Sequence, residues 1–130
     1  MKNPDNKTIT LEKFNLVESK ELIDMNPIHI ATVREDGQPS LSVASDVRVL
    51  DEKRILISNN EMIWTPVNIE KQKNVVLTSF NEDWAGLRMT GVGEYHAQGK
   101  YFDMTAEFKS EKCTPKGAIV ITIQKVESLA

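Results

Sequence analysis

Residues Ile28 to Leu50 read IHIATVREDGQPSLSVASDVRVL, and the fold turns on this stretch. Ile28 to Val33 is a β-branched run. Arg34 to Pro39 interrupts it with Asp36-Gly37, a pair favoured in tight hairpin turns because glycine takes up positive φ without steric cost. Beyond the turn, Leu41, Val43, Ser45, Val47 and Val49 alternate with Ser42, Ala44, Asp46 and Arg48. Alternation with a period of two predicts one long strand with an apolar face and a small or polar face.

The pattern continues outward. Asp51-Glu52-Lys53 reads as the next turn and Arg54 to Ser58 as a third strand. Val75 to Phe80, Leu87 to Ala97 and Ala118 to Val126 supply three more, the last with Ile119, Ile121 and Ile123 on one face. Leu87, Met89, Gly91, Gly93 and Tyr95 share a face of the fifth strand. Its two glycines predict sharp curvature or close approach of another backbone, as at a barrel corner. Thr10 to Met25 carries Leu11, Phe14, Val17, Leu22 and Ile23 at loose helical spacing and stops at Pro27, predicting one or two helical turns or a bent helix. Tyr101, Met104, Thr105 and Phe108 lie on one face of another short helix, and Cys113 to Gly117 reads as loop. Residues 1–10, polar with an early proline, read as a loose tail, most clearly over Met1 to Lys7. The expected fold is mainly β, a six-stranded antiparallel barrel with two or three short flanking helices.

The composition fits that picture. A length of 130 residues suits a single domain over 1–130, and 40% hydrophobic with 27% charged residues is the balance of a globular chain. Sixteen basic against 19 acidic residues give a net charge of −3, unsuited to broad contact with nucleic acid or anionic lipid, although one phosphate needs only a local site. No apolar run approaches the roughly 20 residues that cross a bilayer. A polar N-terminus and a lone Cys113 set the expectation of a cytoplasmic protein without internal disulfides.

Several chemistries find no support. His29 and His96 fall in strands without ligands at metal-binding spacing and read as barrel-wall residues. A nucleophile elbow and a Walker motif are both missing, and Gly91-Val-Gly93 sits inside a strand rather than at the strand-to-helix turn a dinucleotide fingerprint requires.

One junction does carry chemistry: Ser58-Asn-Asn-Glu-Met-Ile-Trp64-Thr65-Pro66. Thr65 is expected as the N-cap and Pro66 as the first residue of a helix reaching Gln72, with Lys71, Lys73 and Asn74 favouring its C-terminal end. A phosphate can dock where free N–H groups converge at a helix start, and equally Thr65 can be a cap and nothing more. Trp64 and Trp84 can cover a planar ligand, close the barrel ends or line a subunit contact. Arg48 and Arg88 can meet an anion or pair with Asp46, Glu61 or Glu94.

Ordered together, Ile30-Ala-Thr-Val33, Asp36-Gly-Gln-Pro39, the strand Ser42 to Leu50, Arg54-Ile-Leu-Ile57, Trp64-Thr65 with Asn68-Ile69, Asn74-Val-Val-Leu77, Leu87-Arg-Met-Thr-Gly91 and Ala118-Ile-Val-Ile-Thr122 resemble the pyridoxamine 5'-phosphate oxidase-like FMN-binding split-barrel family, and above all its small single-domain members. The resemblance covers about residues 11 to 129. It implies a homodimer with FMN in clefts at the subunit interface. Val43, Ala44, Ser45, Asp46 and Val47 would then line the flavin, Ser58, Asn59 and Asn60 would lie along the ribityl chain or ring, and Trp64-Thr65 would stand at the phosphate.

The chain departs from that family at one informative point. Relatives often carry a basic residue before the hydroxyl residue, where this chain has Trp64, itself preceded by Ile63. The leading expectation is a dimeric flavoprotein in electron or hydride transfer. Whether it is an FMN-dependent oxidoreductase, a flavin reductase or a carrier stays open. The alternative is a split-barrel dimer that has lost FMN and takes haem, a deazaflavin or nothing.

Overall fold

Eight strands and three short helices follow one another in the computed structural model, which describes residues 9–108 and 114–129. They are β1 (Ile9–Leu11), α1 (Lys20–Met25), β2 (Ile28–Val33), β3 (Pro39–Ala44), β4 (Val47–Val49), β5 (Arg54–Asn59), α2 (Trp64–Lys71), β6 (Asn74–Phe80), β7 (Gly86–His96), α3 (Lys100–Met104) and β8 (Gly117–Leu129). All pairings are antiparallel, in the order β3-β2-β6-β7-β8-β5-β4, with β1 added to β8.

That order fixes the shape. β3 and β4 lie at opposite ends of the hydrogen-bonded series, yet only Ser45 and Asp46 separate them in the chain. The sheet must therefore curl until its ends meet at those two residues. It becomes a barrel split between β3 and β4, where Ser58 N–H donates to the Asp46 carbonyl at 2.9 Å. Curvature is concentrated at Gly91, as expected from sequence. The β7–β8 register shifts between Thr90 and Gly91, and a Cβ on Gly91 would stand 3.0 Å from Ile123 Cα. Inside lie Ile30, Ile55, Ile57, Leu77, Met89, Ile119 and Ile121, all fully buried. Tyr101, Met104 and Phe108, from α3 and the 3₁₀ turn after it, pack outside the sheet on Leu56, Ala118 and Val120.

The mainly β antiparallel split barrel with short flanking helices is the fold found, with eight strands in place of six. Two differences account for the count. Ile9–Leu11, placed by sequence in the tail and the start of a helix, pairs with Val126 to Ser128, so main-chain hydrogen bonds hold a segment whose side chains are all exposed. Helix begins later, as a 3₁₀ turn over Leu16–Ser19 running into α1. The single strand expected from Leu41 to Val49 is broken, and the break inverts its faces. Leu41 and Val43 are 69% and 56% exposed, Ala44 is buried, and Val47 and Val49 are buried.

The start of α2 also differs. Its N-cap is Ile63, without a side-chain cap, and Pro66 is the third helical residue. The Thr65 hydroxyl lies 3.1 Å from Ser42 Oγ and donates to it, so it faces β3 instead of capping the helix. Pro66 is tolerated there because the first four N–H groups of a helix have no intrahelical acceptor. Ile69 and Asn68 bury the inner face of α2, with Asn68 Nδ2 donating to Thr32 Oγ1 at 3.0 Å. Among the described residues, no helix is long and apolar enough to cross a membrane.

Candidate functional site

A cleft of about 510 Å³ opens at the split. Ser40 to Ala44 of β3 and the following Ser45 form one wall, and Glu61 to Trp64 at the start of α2 form the other. Ser58 and Asn60 lie between them at the end of β5.

Both walls carry unfinished hydrogen bonding. β3 ends the sheet, so half of its peptide groups have no strand partner among the described residues. Helix α2 has no side-chain cap and no acidic residue in its first turn, so no residue of the helix itself offsets the positive end of its dipole. Leu41, Val43, Ile63 and Trp64 are exposed beside these polar edges, at 69%, 56%, 73% and 58%. Apolar faces next to serine hydroxyls and free peptide edges suit a flat ring that is apolar on its face and polar at its rim.

The base of the cleft is tied together by hydrogen bonds. Ser58 Oγ donates to Asn60 Oδ1 at 2.8 Å, and Asn60 Nδ2 donates to Asp46 Oδ2 at 2.7 Å. Asn59, buried below, accepts the Met62 N–H on Oδ1 at 2.9 Å and the Lys116 N–H on its carbonyl at 2.7 Å. These contacts fix the turn that carries the chain from β5 into α2.

Of the residues singled out from sequence, Val43, Ala44, Ser45, Ser58, Asn60 and Trp64 come together on the cleft. Asp46, Val47, Asn59 and Thr65 stand behind it: Asp46 and Asn59 brace the turn, Val47 faces the core, and Thr65 ties α2 to Ser42. Glu61, Met62 and Ile63 belong to the junction read as carrying chemistry but, like Ser40, Leu41 and Ser42, have no ligand contact assigned from sequence. Ser42 had a legible signal, since it occupies the small or polar face of the expected strand, and Ser40 continues the same alternation one step before it.

Glu61 is the charged member of the lining, and no cation lines the cleft among the described residues. Neither arginine considered from sequence lies there. Arg48 pairs with Glu107 and stacks on Phe108, its guanidinium carbon 5.0 Å from the ring centroid. Arg88 donates through Nε and Nη2 to Glu127, both at 3.1 Å, which holds that carboxyl below the usual glutamate range. A cation that does reach the α2 start is Arg34, on the β2–β3 hairpin, whose guanidinium carbon lies 5.6 Å from the Trp64 ring centroid. Trp64 is shared with a second, smaller depression of about 210 Å³ that Arg34, Asp36 and Lys71 also line.

Both tryptophans are exposed, Trp84 at 76%, so neither closes a barrel end within the chain. His29 is exposed, and His96 lies 3.2 Å from Glu94 and against the Tyr101 ring. Among the described residues no group of three or more His, Cys, Asp or Glu could hold a metal ion, and Cys113 falls outside them.

A curled antiparallel sheet split beside an uncapped helix start, with a ring-sized cleft in the split, defines a class of small split-barrel proteins. The chain belongs to the pyridoxamine 5'-phosphate oxidase family, whose model matches residues 18–130. An uncharacterized protein of Methanocaldococcus jannaschii is 34% identical over 107 residues, covering 78% of this chain and 72% of that one. Among solved structures, HupZ of Group A Streptococcus aligns with a TM-score of 0.76 at 24% identity, over 85% of this chain and 90% of that one. An FMN-binding protein from Syntrophomonas wolfei aligns with a TM-score of 0.75 at 16% identity, over 88% and 86%. At these identities the likeness to the solved structures is one of fold.

Proposed function

We propose that this chain is a single-domain flavoprotein that binds FMN noncovalently in the cleft at the split and works in electron or hydride transfer. The observation that carries the reading is the cleft itself. An unpaired strand edge, an apolar stripe and an uncapped helix start converge in a member of this family, and a solved structure with the same fold is an FMN-binding protein.

The donor set suits the ring better than the phosphate. Leu41, Val43, Met62, Ile63 and Trp64 offer apolar contact, while the β3 edge and Ser40, Ser42 and Ser45 offer hydrogen bonds to a polar rim. FMN, when bound, supplies the redox chemistry. The chain's own residues orient the ring and exclude water from one face, and the α2 start presents N–H groups to an anion. A second copy is part of the proposal. Leu41 and Val43 form an exposed apolar pair on an edge strand, a surface suited to burial against a partner. A cytoplasmic setting belongs to the same reading, because a single cysteine leaves no internal disulfide.

The experiment is titration of the purified chain with FMN, followed by flavin fluorescence and by the absorption spectrum of the protein as isolated. Quenching at micromolar FMN is expected, and none at that concentration overturns the proposal. A second reading, a split barrel without FMN, is favoured by one observation: Glu61 is charged while no cation lines the cleft among the described residues. Under that reading Trp64→Lys would create flavin binding that the native chain lacks.

A further inference from the structure

The hairpin residue Arg34, seated on Trp64, offers what the helix start lacks. Trp64 is the first residue of α2 and a wall of the cleft, and it also bounds the smaller depression on the hairpin side. Arg34 leaves β2 at the hairpin that Gly37 closes at φ +87°, with its own N–H donating to the Gln38 carbonyl at 2.8 Å and its carbonyl accepting the Gly37 N–H at 2.9 Å. Its backbone is therefore fixed while its side chain reaches the indole.

The neighbouring charges sort themselves. Lys71 lies 3.7 Å from Glu35, and Asp36 Oδ1 accepts the Gln38 N–H at 3.0 Å. Arg34 makes no ion pair among the described residues, and its charge rests against the Trp64 ring at 5.6 Å. An indole face holds a guanidinium by cation–π attraction while leaving the in-plane N–H donors free, and those donors match two oxygens of a phosphate.

We propose that Arg34, positioned by Trp64, is the residue through which this chain selects a phosphorylated flavin over its unphosphorylated form. The inference rests on the flavin reading above and assigns the source of its anion selectivity. Tryptophan at the helix start is then a platform for a cation delivered from the β2–β3 hairpin. A phosphate monoester carries close to two negative charges near neutral pH, so the contact distinguishes FMN from riboflavin, which shares the ring and lacks the charge.

The test compares FMN and riboflavin affinities, by fluorescence quenching, for the native chain, Arg34→Gln, Arg34→Lys and Trp64→Leu. Arg34→Gln is expected to weaken FMN about tenfold and to leave riboflavin within about twofold, since it removes one charge-assisted contact. Arg34→Lys is expected to recover part of the loss, because a point charge lacks the paired donors. Trp64→Leu is expected to lower the FMN-to-riboflavin preference, having released the guanidinium. Raising salt to about 0.5 M is expected to weaken FMN binding to the native chain more than to Arg34→Gln, through screening. Equal FMN affinity in the native chain and Arg34→Gln overturns this inference and leaves the flavin reading standing. Failure of the native chain to bind either flavin overturns both.

Discussion

Replacing Thr32 with Val tests how α2 is held against the barrel. Asn68 and Thr32 are 3% and 2% exposed, and the 3.0 Å bond from Asn68 Nδ2 to Thr32 Oγ1 joins the helix to β2 across 36 positions of sequence. Valine keeps the shape of threonine and removes the acceptor. The amide donor then stays buried without its partner, a loss of about 1–3 kcal/mol, whereas replacing both partners by apolar groups of similar volume is close to neutral. Thr32→Val alone is therefore expected to cost about 2 kcal/mol, and Thr32→Val with Asn68→Leu less than about 1 kcal/mol, for a coupling of about 1–2 kcal/mol. Urea midpoints at constant m-value measure the cycle. Amide exchange read residue by residue localises it, since protection across Trp64–Lys71 should fall before that of the β5–β8 core. Additive effects, or a single variant within about 0.5 kcal/mol of the native chain, would refute the claim that this pair docks the helix.

Three other outcomes follow from the geometry. Gly91→Ala is expected to cost more than about 2 kcal/mol, because its Cβ would press on the Thr122 carbonyl group and stand 3.0 Å from Ile123 Cα; Gly93→Ala meets only side-chain methyl groups of Ile121 and Ile69, at 3.1 and 3.2 Å, and should cost less than half as much in the same urea assay. The Arg88 hydrogen bonds hold Glu127 below its unfolded value, so the unfolded chain binds the extra proton in acid. The Glu127 contribution is thus present above the ordinary glutamate range and lost as pH falls through the folded value, and urea midpoints between pH 6 and 3 should fall less steeply in Glu127→Gln. Leu41→Asp places a charge on the apolar edge of β3 and, under the proposed second copy, is expected to turn a dimeric mass in light scattering into a monomeric one; an unchanged mass would remove that edge as the proposed subunit contact.

What could be read from sequence was local. Ile28–Val33 forms with the bounds expected, Asp36-Gly37 turns the hairpin with Gly37 at φ +87°, and Gly91 marks the bulge. Each depends on a residue and its immediate neighbours. The errors concern contacts far apart in the chain. Thr65 carries a capping signal, but the helix starts one residue before it with Ile63 as the N-cap, so Thr65 is itself helical and its hydroxyl donates to Ser42, 23 positions away. β1 forms because β8 is long enough to pair beyond its contact with β5, which no pattern within Ile9–Leu11 records. The cleft was half legible for the same reason. The expected strand and helix start supplied both walls, while the burial of Val47, Asn59 and Thr65 depends on the curl of the whole sheet.

The break at Ser45–Asp46 was invisible because apolar spacing continues through it: Leu41, Val43, Val47 and Val49 all fall on odd positions, and neither glycine nor proline marks the bend. Had the strand run straight, those four side chains would share one face, and β3 and β4 would form one strand joining β2 to β5. The barrel would then close, with no free edge and no cleft. The inversion leaves Leu41 and Val43 outside, opposite Ile63 and Trp64, on an edge whose six residues, Pro39 to Ala44, include no charge. Natural edge strands are commonly protected by charge, proline or a covering element. Pro39 stands only at its beginning and α2 touches the edge through Thr65 and Ser42, so among the described residues no strand covers the rest of it, as expected of a surface that a flat ring and a second copy of the chain would cover.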